Sequence, residues 1–246
     1  MARGRDNWRR IARFVGDAHS IDGILAEMAQ DWPASEIAAD AADNPPPEPP
    51  IVAFDFDGTL TVRDSFIAFL KWRAGPGRYA LGLLRLTPDA LAYGFHRDRG
   101  RLKAAAVREY LRGVSRERLE ADAREFAERF SRSLLRPDAV AAWKRWRGEH
   151  VRLVIVTASP EVLVAPFARG LGADGLLGTE LAFDARGRIT GGLAAPNCRG
   201  PEKVLRLKAA FGADVELKAA YGDTSGDREM LAMAEIAGYR VFKGTP

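Results

Sequence analysis

Apolar residues change their spacing three times along this 246-residue chain. Near the N-terminus, Trp8, Ile11, Phe14 and Val15, then Ile21, Ile24, Leu25 and Met28, recur at helical intervals, with Arg9, Arg10 and Arg13 among the first set. That pattern predicts an amphipathic segment that docks on the body or lies on a membrane surface or partner. The Ala- and Pro-rich run "AADAADNPPPEPP" follows and reads as an extended spacer. Residues 1–48 are therefore expected to form an N-terminal extension and linker.

The spacing then switches. "IVAF" is an unbroken apolar run, as in a short buried strand. Between residues 64 and 135 the period is helical, punctuated at Gly75-Pro76-Gly77, Thr87-Pro88 and Gly113. Strand and helix alternate from there to the end. "PDAVAAWKRWRGEH" is a helix with Val140, Trp143 and Trp146 on its core face, and "VRLVIVT" is a buried strand. "EVLVAPFARGLG" is a helix, and "TELAFDARGRITGGL" is two strands around a turn at Ala185–Gly187. "PEKVLRLKAAFG" is a helix with Pro201 in its first turn, "LKAAYGD" a strand, "DREMLAMAEIAG" a helix and "YRVFKG" a last strand. This predicts an α/β protein with a Rossmann-like, doubly wound parallel sheet. The sheet domain takes residues 49–63 and 136–246. A helical domain, 64–135, is inserted after the first strand.

Composition narrows the function classes. Hydrophobic residues make up 47% and charged residues 28%, the profile of a soluble globular protein. Net charge is +4, which favours anionic substrates or surfaces. Cys198 is the single cysteine, so no internal disulfide is expected, and no His/Cys cluster suggests zinc. His19, His96 and His150 are scattered and read as surface or capping residues. No run of 18 apolar residues and no secretory leader is evident, so a cytoplasmic location is expected. Scattered arginines without a zinc-finger or aromatic RNA-binding motif make nucleic acid an unexpected partner.

In open α/β sheets the ligand site lies beyond the carboxyl ends of the strands. The first strand delivers Asp55, Asp57 and Thr59 there. "VRLVIVT" delivers Thr157, with Ala158 and Ser159 after it. "LKAAYGD" delivers Asp223 and, across a turn, Asp227, and Lys203 sits early in the preceding helix. Clustered carboxylates need a compensating cation. Mg²⁺, a hard ion that prefers oxygen, would compensate them and shield an incoming phosphate. One carboxylate can then attack phosphorus, a second can move protons, and Lys203 and Thr157 can bind phosphate oxygens.

"DFDGTLT", "VTAS", the lysine of "EKV" and "GDTSGD" together resemble the four motifs of haloacid dehalogenase-like phosphatases. The resemblance covers roughly residues 50–244, and the helical insertion looks like that superfamily's cap. It implies Asp55 as nucleophile and Asp57 as general acid/base. It implies Asp55, Asp223, Asp227 and the backbone carbonyl of Asp57 as Mg²⁺ ligands. Thr157 and Lys203 resemble the phosphate-binding pair.

The cap's position is similar to the phosphoserine-phosphatase-like subfamily IB. Where phosphoserine phosphatases carry a substrate-binding glutamate, this chain has Asp64, and in place of Ser-Gly-Gly it has Thr157-Ala158-Ser159. "TASP" and "CRGPEKV" look more like the C-type phosphatidylglycerophosphatases. Residues 71–118 carry twelve Lys and Arg against four acids, so the cap is basic as well as apolar. The expected substrate is phosphatidylglycerophosphate or a related anionic phosphomonoester, small molecule or lipid, with peripheral membrane contact through the cap or the N-terminal helix. Phosphoserine phosphatase is the alternative. A phospho-accepting receiver module is a more distant one, disfavoured by the cap and by the two-residue spacing of Asp55 and Asp57. A dehalogenase would lack Asp57.

Overall fold

The computed structural model describes residues 48–88, 90–91 and 99–246. The amphipathic extension, most of its spacer, His19 and His96 lie outside the described residues. A five-stranded sheet in the order β3-β2-β1-β6-β7 forms the centre, with every pairing parallel. Its strands are β1 (Ile51–Phe54), β2 (Arg152–Pro160), β3 (Gly175–Thr179), β6 (Leu217–Gly222) and β7 (Ala234–Tyr239). β1 lies in the middle, and all four of its residues are buried. Side chains alternate across a strand, so β1 serves two cores. Val52 and Phe54 join the core on one face, with Trp143 and Phe167; Ile51 and Ala53 join the other, with Leu207 and Leu217.

Helices cover both faces: α4 (Pro137–Arg147), α5 (Glu161–Leu171), α6 (Pro201–Phe211) and the short α7 (Arg228–Leu231). Trp143 is buried against Phe54, ring centroids 5.1 Å apart, as its spacing predicts.

Between β1 and α4 the chain forms α1 (Ser65–Arg85), α2 (Arg99–Leu111) and α3 (Arg116–Leu134). α1 bends at Gly75, where φ is +72° just before Pro76, so the Gly-Pro-Gly signal marks a kink. The chain enters and leaves this layer side by side. Val62 N–H donates to the Leu134 carbonyl (2.8 Å), and Arg136 N–H to the Leu60 carbonyl (2.8 Å). Phe69, Trp72, Phe126 and Phe130 pack the helical layer, and Phe126 lies 6.2 Å from Phe167 of α5. The antiparallel hairpin β4 (Leu181–Phe183) and β5 (Ile189–Leu193) reaches up to the α2–α3 turn. There Gly113 and Ile189 and then Ile189 and Val114 are joined by backbone hydrogen bonds of 2.8 and 2.9 Å.

One stretch departs from expectation. "DREMLAMAEIAG" contains only four α-helical residues, and the last strand begins at Ala234. Ala234–Tyr239 pairs residue by residue with β6, and 240–246 follow without regular structure. Sheet pairing has overridden the helical propensity of an Ala-rich segment.

Candidate active site

The chain order reverses direction across the sheet at β1, which has β2 on one side and β6 on the other. A crevice beyond the strand ends is expected at such a switch point. Asp55 follows β1 directly and is buried. Lys203 sits in the first turn of α6, and helical side chains lean back toward the N-terminus, here toward the sheet. Its ammonium is 1% exposed and donates to Asp55 Oδ1 (2.6 Å), Asp227 Oδ1 (2.7 Å) and the Val156 carbonyl (2.6 Å). Those three bonds use all three of its N–H groups. Burial alone would weaken its hold on the proton, but the two carboxylates outweigh that, and the ammonium stays charged.

Asp55 responds differently. Burial pushes its carboxyl up to about 7; Lys203 pulls it down, and the Asp227 and Asp57 charges add to the rise. Thr59 Oγ1, also buried, lies 3.5 Å from Asp55 Oδ2, at the limit of a hydrogen bond. Asp227 also has its second oxygen engaged. Oδ2 accepts from the Asp223 N–H (3.2 Å), the Thr224 N–H (2.8 Å) and Thr224 Oγ1 (3.0 Å). Although burial opposes it, Lys203 and these donors hold Asp227 below the ordinary carboxylate range.

Asp223 Oδ1 is buried with no hydrogen-bond partner. Burial and then the Asp227 charge raise its carboxyl above the ordinary value. Gly58 makes room for it: φ there is +82°, and a Cβ would stand 2.2 Å from Asp223 Oδ2. Asp55, Asp223 and Asp227 each offer an oxygen within 4.8 Å of the others. An orphaned buried carboxylate oxygen beside two more carboxylates is costly without a cation. The donor set is all oxygen and acidic, and it fits a hard divalent ion.

Asp57 turns the other way. Its Oδ1 accepts from the Ser65 N–H (2.7 Å) at the start of α1, and its Oδ2 from Ser159 Oγ (2.5 Å). Its carboxylate therefore lies outside the three-acid cluster, and only its main chain is left for a cation. Asp64 caps α1, accepting from the Ile67 N–H (2.8 Å). Thr157 is fully buried, and its Oγ1 accepts from the Ser159 N–H (3.0 Å). Ala158 contributes its carbonyl, which accepts from Thr179 Oγ1 (2.7 Å) and from Lys103 Nζ.

Ser159 was expected at the strand end without a role, and two further contributors, Thr224 and Lys103, escaped sequence reasoning. Ser159 fixes Asp57, Thr224 fixes Asp227, and Lys103 of α2 reaches across to the end of β2. Ser159 and Thr224 lie inside the quoted motifs, so their place was legible; Lys103 was one basic residue among twelve. Cys198 is buried, its thiol pushed up to about 11 by burial, and is an inert core residue.

A family model described as haloacid dehalogenase-like hydrolase matches residues 52–232. The chain belongs to that family. Among curated proteins, this hydrolase is 64% identical over 199 residues to Protein CicA of Caulobacter vibrioides, in two strains, which covers 81% of this chain and 89% of CicA. A Bordetella pertussis protein of unknown function shares the fold at a TM-score of 0.61 and 24% identity, over 74% of this hydrolase and 85% of that chain. A phosphoserine phosphohydrolase-like protein from Francisella tularensis superposes at 0.53 and 17% identity, over 77% and 85%.

Proposed function

We propose that this hydrolase is a Mg²⁺-dependent phosphomonoesterase that works through an aspartyl-phosphate on Asp55. The observation that carries this reading is the opposite partnering of the two motif-one carboxylates. Asp55 lies among Lys203, Asp227 and the orphaned Asp223, whereas Asp57 is held on the cap side by Ser159 and Ser65. One faces the cation cluster and suits attack on phosphorus; the other faces the leaving group and suits proton transfer.

Asp55, Asp223, Asp227 and the Asp57 main chain would hold Mg²⁺. When bound, the ion neutralises charge on the phosphoryl oxygens. Lys203 pulls Asp55 toward its ionised form, against burial and the neighbouring acids. An Asp55 oxygen attacks phosphorus as the bond to the leaving oxygen breaks, and Asp57 gives that oxygen a proton. Asp57 then takes a proton from water, whose oxygen attacks phosphorus and frees Asp55. Thr157 Oγ1 donates to a phosphoryl oxygen. Residues 49–63 and 136–246 form the catalytic core, and 64–135 act as its cap.

Phosphatidylglycerophosphate or a related anionic phosphomonoester is the substrate class we favour, with phosphoserine as the alternative. A second observation favours a lipid: Leu81, Leu83, Leu84 and Leu91 are 45 to 71% exposed, close in sequence to Arg78 and Arg85. The contact we propose is peripheral, on the cytoplasmic face, through this exposed basic and apolar surface; among the described residues no helix is long and apolar enough to cross a membrane. Phosphate release from phosphatidylglycerophosphate in mixed micelles, from L-phosphoserine and from p-nitrophenyl phosphate, with and without Mg²⁺ and with Asp55→Asn as blank, tests the reading. Mg²⁺-dependent release that Asp55→Asn abolishes supports it. Release that survives Asp55→Asn sinks the nucleophile assignment.

A further inference from the structure

We propose that Lys103 makes this enzyme select phosphomonoesters whose leaving group carries an anionic group and no amine. The inference rests on the phosphomonoesterase reading and specifies its substrate class.

The leaving oxygen must reach Asp57 to receive a proton, so the atoms beyond it lie on the cap side of that carboxylate. Three elements wall that space. Ser159, at the end of β2, is bonded to Asp57. Asp64 and Phe66 stand at the start of α1, whose Ser65 N–H also binds Asp57. Lys103 comes from α2: its Nζ donates to the carbonyl of Ala158, next to Ser159, and lies 5.8 Å from the centre of the Phe66 ring. Asp57 and Asp64 together form an acidic corner suited to an ammonium. Lys103 is a cation whose charge both acids feel. Burial is the largest effect on the Lys103 ammonium and leaves it less basic than usual, with the Asp57 and Asp64 charges opposing it.

Two consequences follow from one positive charge in that place. A second ammonium, brought by an amino-bearing leaving group, meets a like charge in a crowded, poorly hydrated space. A carboxylate or phosphodiester meets N–H groups that the Ala158 carbonyl does not use, because an ammonium has three and that bond takes one. A separate groove lies one residue along α2 from Lys103. It measures about 860 Å³, begins beside Ala104 and is lined by Arg99, Arg101, Asn197, Arg199 and Ser225. Arg199 gives its hydrogen bonds there to two hydroxyls, Thr224 Oγ1 and Ser225 Oγ, both 3.0 Å away. An extended anionic leaving group that reached this groove would find basic walls there.

The matched pair 3-phosphoglycerate and L-phosphoserine isolates the effect, because a hydroxyl in one stands where the other has its ammonium. The expected wild-type kcat/KM, measured with Mg²⁺ on the full chain, favours 3-phosphoglycerate at least tenfold. Lys103→Gln keeps a donor for the Ala158 carbonyl but loses the charge, and should narrow that ratio tenfold or more. Lys103→Met should do the same, and Lys103→Arg should preserve the wild-type ratio. A wild-type ratio near one, or one favouring phosphoserine, overturns the inference. So does a ratio that Lys103→Gln and Lys103→Met both leave unchanged. If the wild type also fails to hydrolyse p-nitrophenyl phosphate, the phosphomonoesterase reading falls and this inference with it. Turnover of that ester without discrimination between the pair overturns the inference alone.

Discussion

The carboxyl end of the sheet and the helical cap carry charge in different ways. At the sheet end the charges are buried and interlocked: Lys203 is shared between Asp55 and Asp227, Asp227 accepts four hydrogen bonds, and Asp223 Oδ1 is left without a partner. In the cap most charge is at the surface. Arg78 and Arg85 converge on Glu109 with side chains 40 and 57% exposed, and the leucines around them face solvent. Two groups depart from this: Asp122 is buried against Arg73 and Arg118, and Lys103 reaches the Ala158 carbonyl at the end of β2. Buried, mutually dependent charges define a reaction centre that tolerates little change. Exposed ones are individually weak and free to differ, which suits the surface that meets a substrate or a bilayer.

The comparison breaks most easily at Lys203. Lys203→Met leaves two buried carboxylates uncompensated and should cost about 3–5 kcal/mol. A thermal melt would show this as a drop of many degrees; a change under about 1 kcal/mol would mean the sheet end is not the coupled unit described. Asp223→Asn comes next, with a crossed signature. Removing an orphaned charge should raise the melting temperature without metal, while Mg²⁺ affinity read by calorimetry should fall at least about 10- to 100-fold, the loss that altering a ligand's supporting partner alone produces. A loss of stability both with and without Mg²⁺ would contradict the metal assignment.

Asp55 supplies a pH test. Its folded value, about 7, lies above the ordinary 3.8, so the folded state binds this proton more tightly than the unfolded state. The stability it contributes is fully present below 3.8 and is lost as pH rises through about 7. In Mg²⁺-free buffer the wild type should therefore lose more melting temperature between pH 4 and 7 than Asp55→Asn. Parallel curves would show that burial does not perturb this carboxyl. The smallest effect belongs to the cap surface. Leu84→Glu should change stability by no more than about 0.5 kcal/mol, yet weaken sedimentation with anionic vesicles. Unchanged vesicle binding would remove Leu84 from any membrane-facing surface.

Much of the sheet end was legible because its signals are local. An apolar run ending in Asp-x-Asp-Gly marks a strand, a turn and two acids within eight residues, and β1 and the turn after it lie where that run places them. Partnerships were not legible, because they span the chain. Lys203 meets Asp55 at a separation of 148 residues and Val156 at 47, and Lys103 meets Ala158 at 55. Lys203 was expected as a phosphate clamp, and its N–H groups are given to Asp55, Asp227 and the Val156 carbonyl, partners no local pattern announces. Asp64 was expected at the substrate, and its carboxyl also caps α1. Lys103 has the same local pattern as the arginines around it, so only its reach to the Ala158 carbonyl distinguishes it. The last strand was misplaced by five residues because β6 selects the register that "AEIAGY" adopts, and periodicity does not show which neighbour a strand will have.

The most direct test of the account is to find the phosphoryl group on the protein. The enzyme would be mixed with Mg²⁺ and p-nitrophenyl phosphate, quenched in acid during turnover, digested and read by mass spectrometry. A peptide spanning Asp55 heavier by one phosphoryl group, absent from Asp55→Asn and lost on treatment with hydroxylamine, is the predicted result. Steady turnover with no such adduct, or an adduct on another residue, would contradict the claim that Asp55 is the nucleophile.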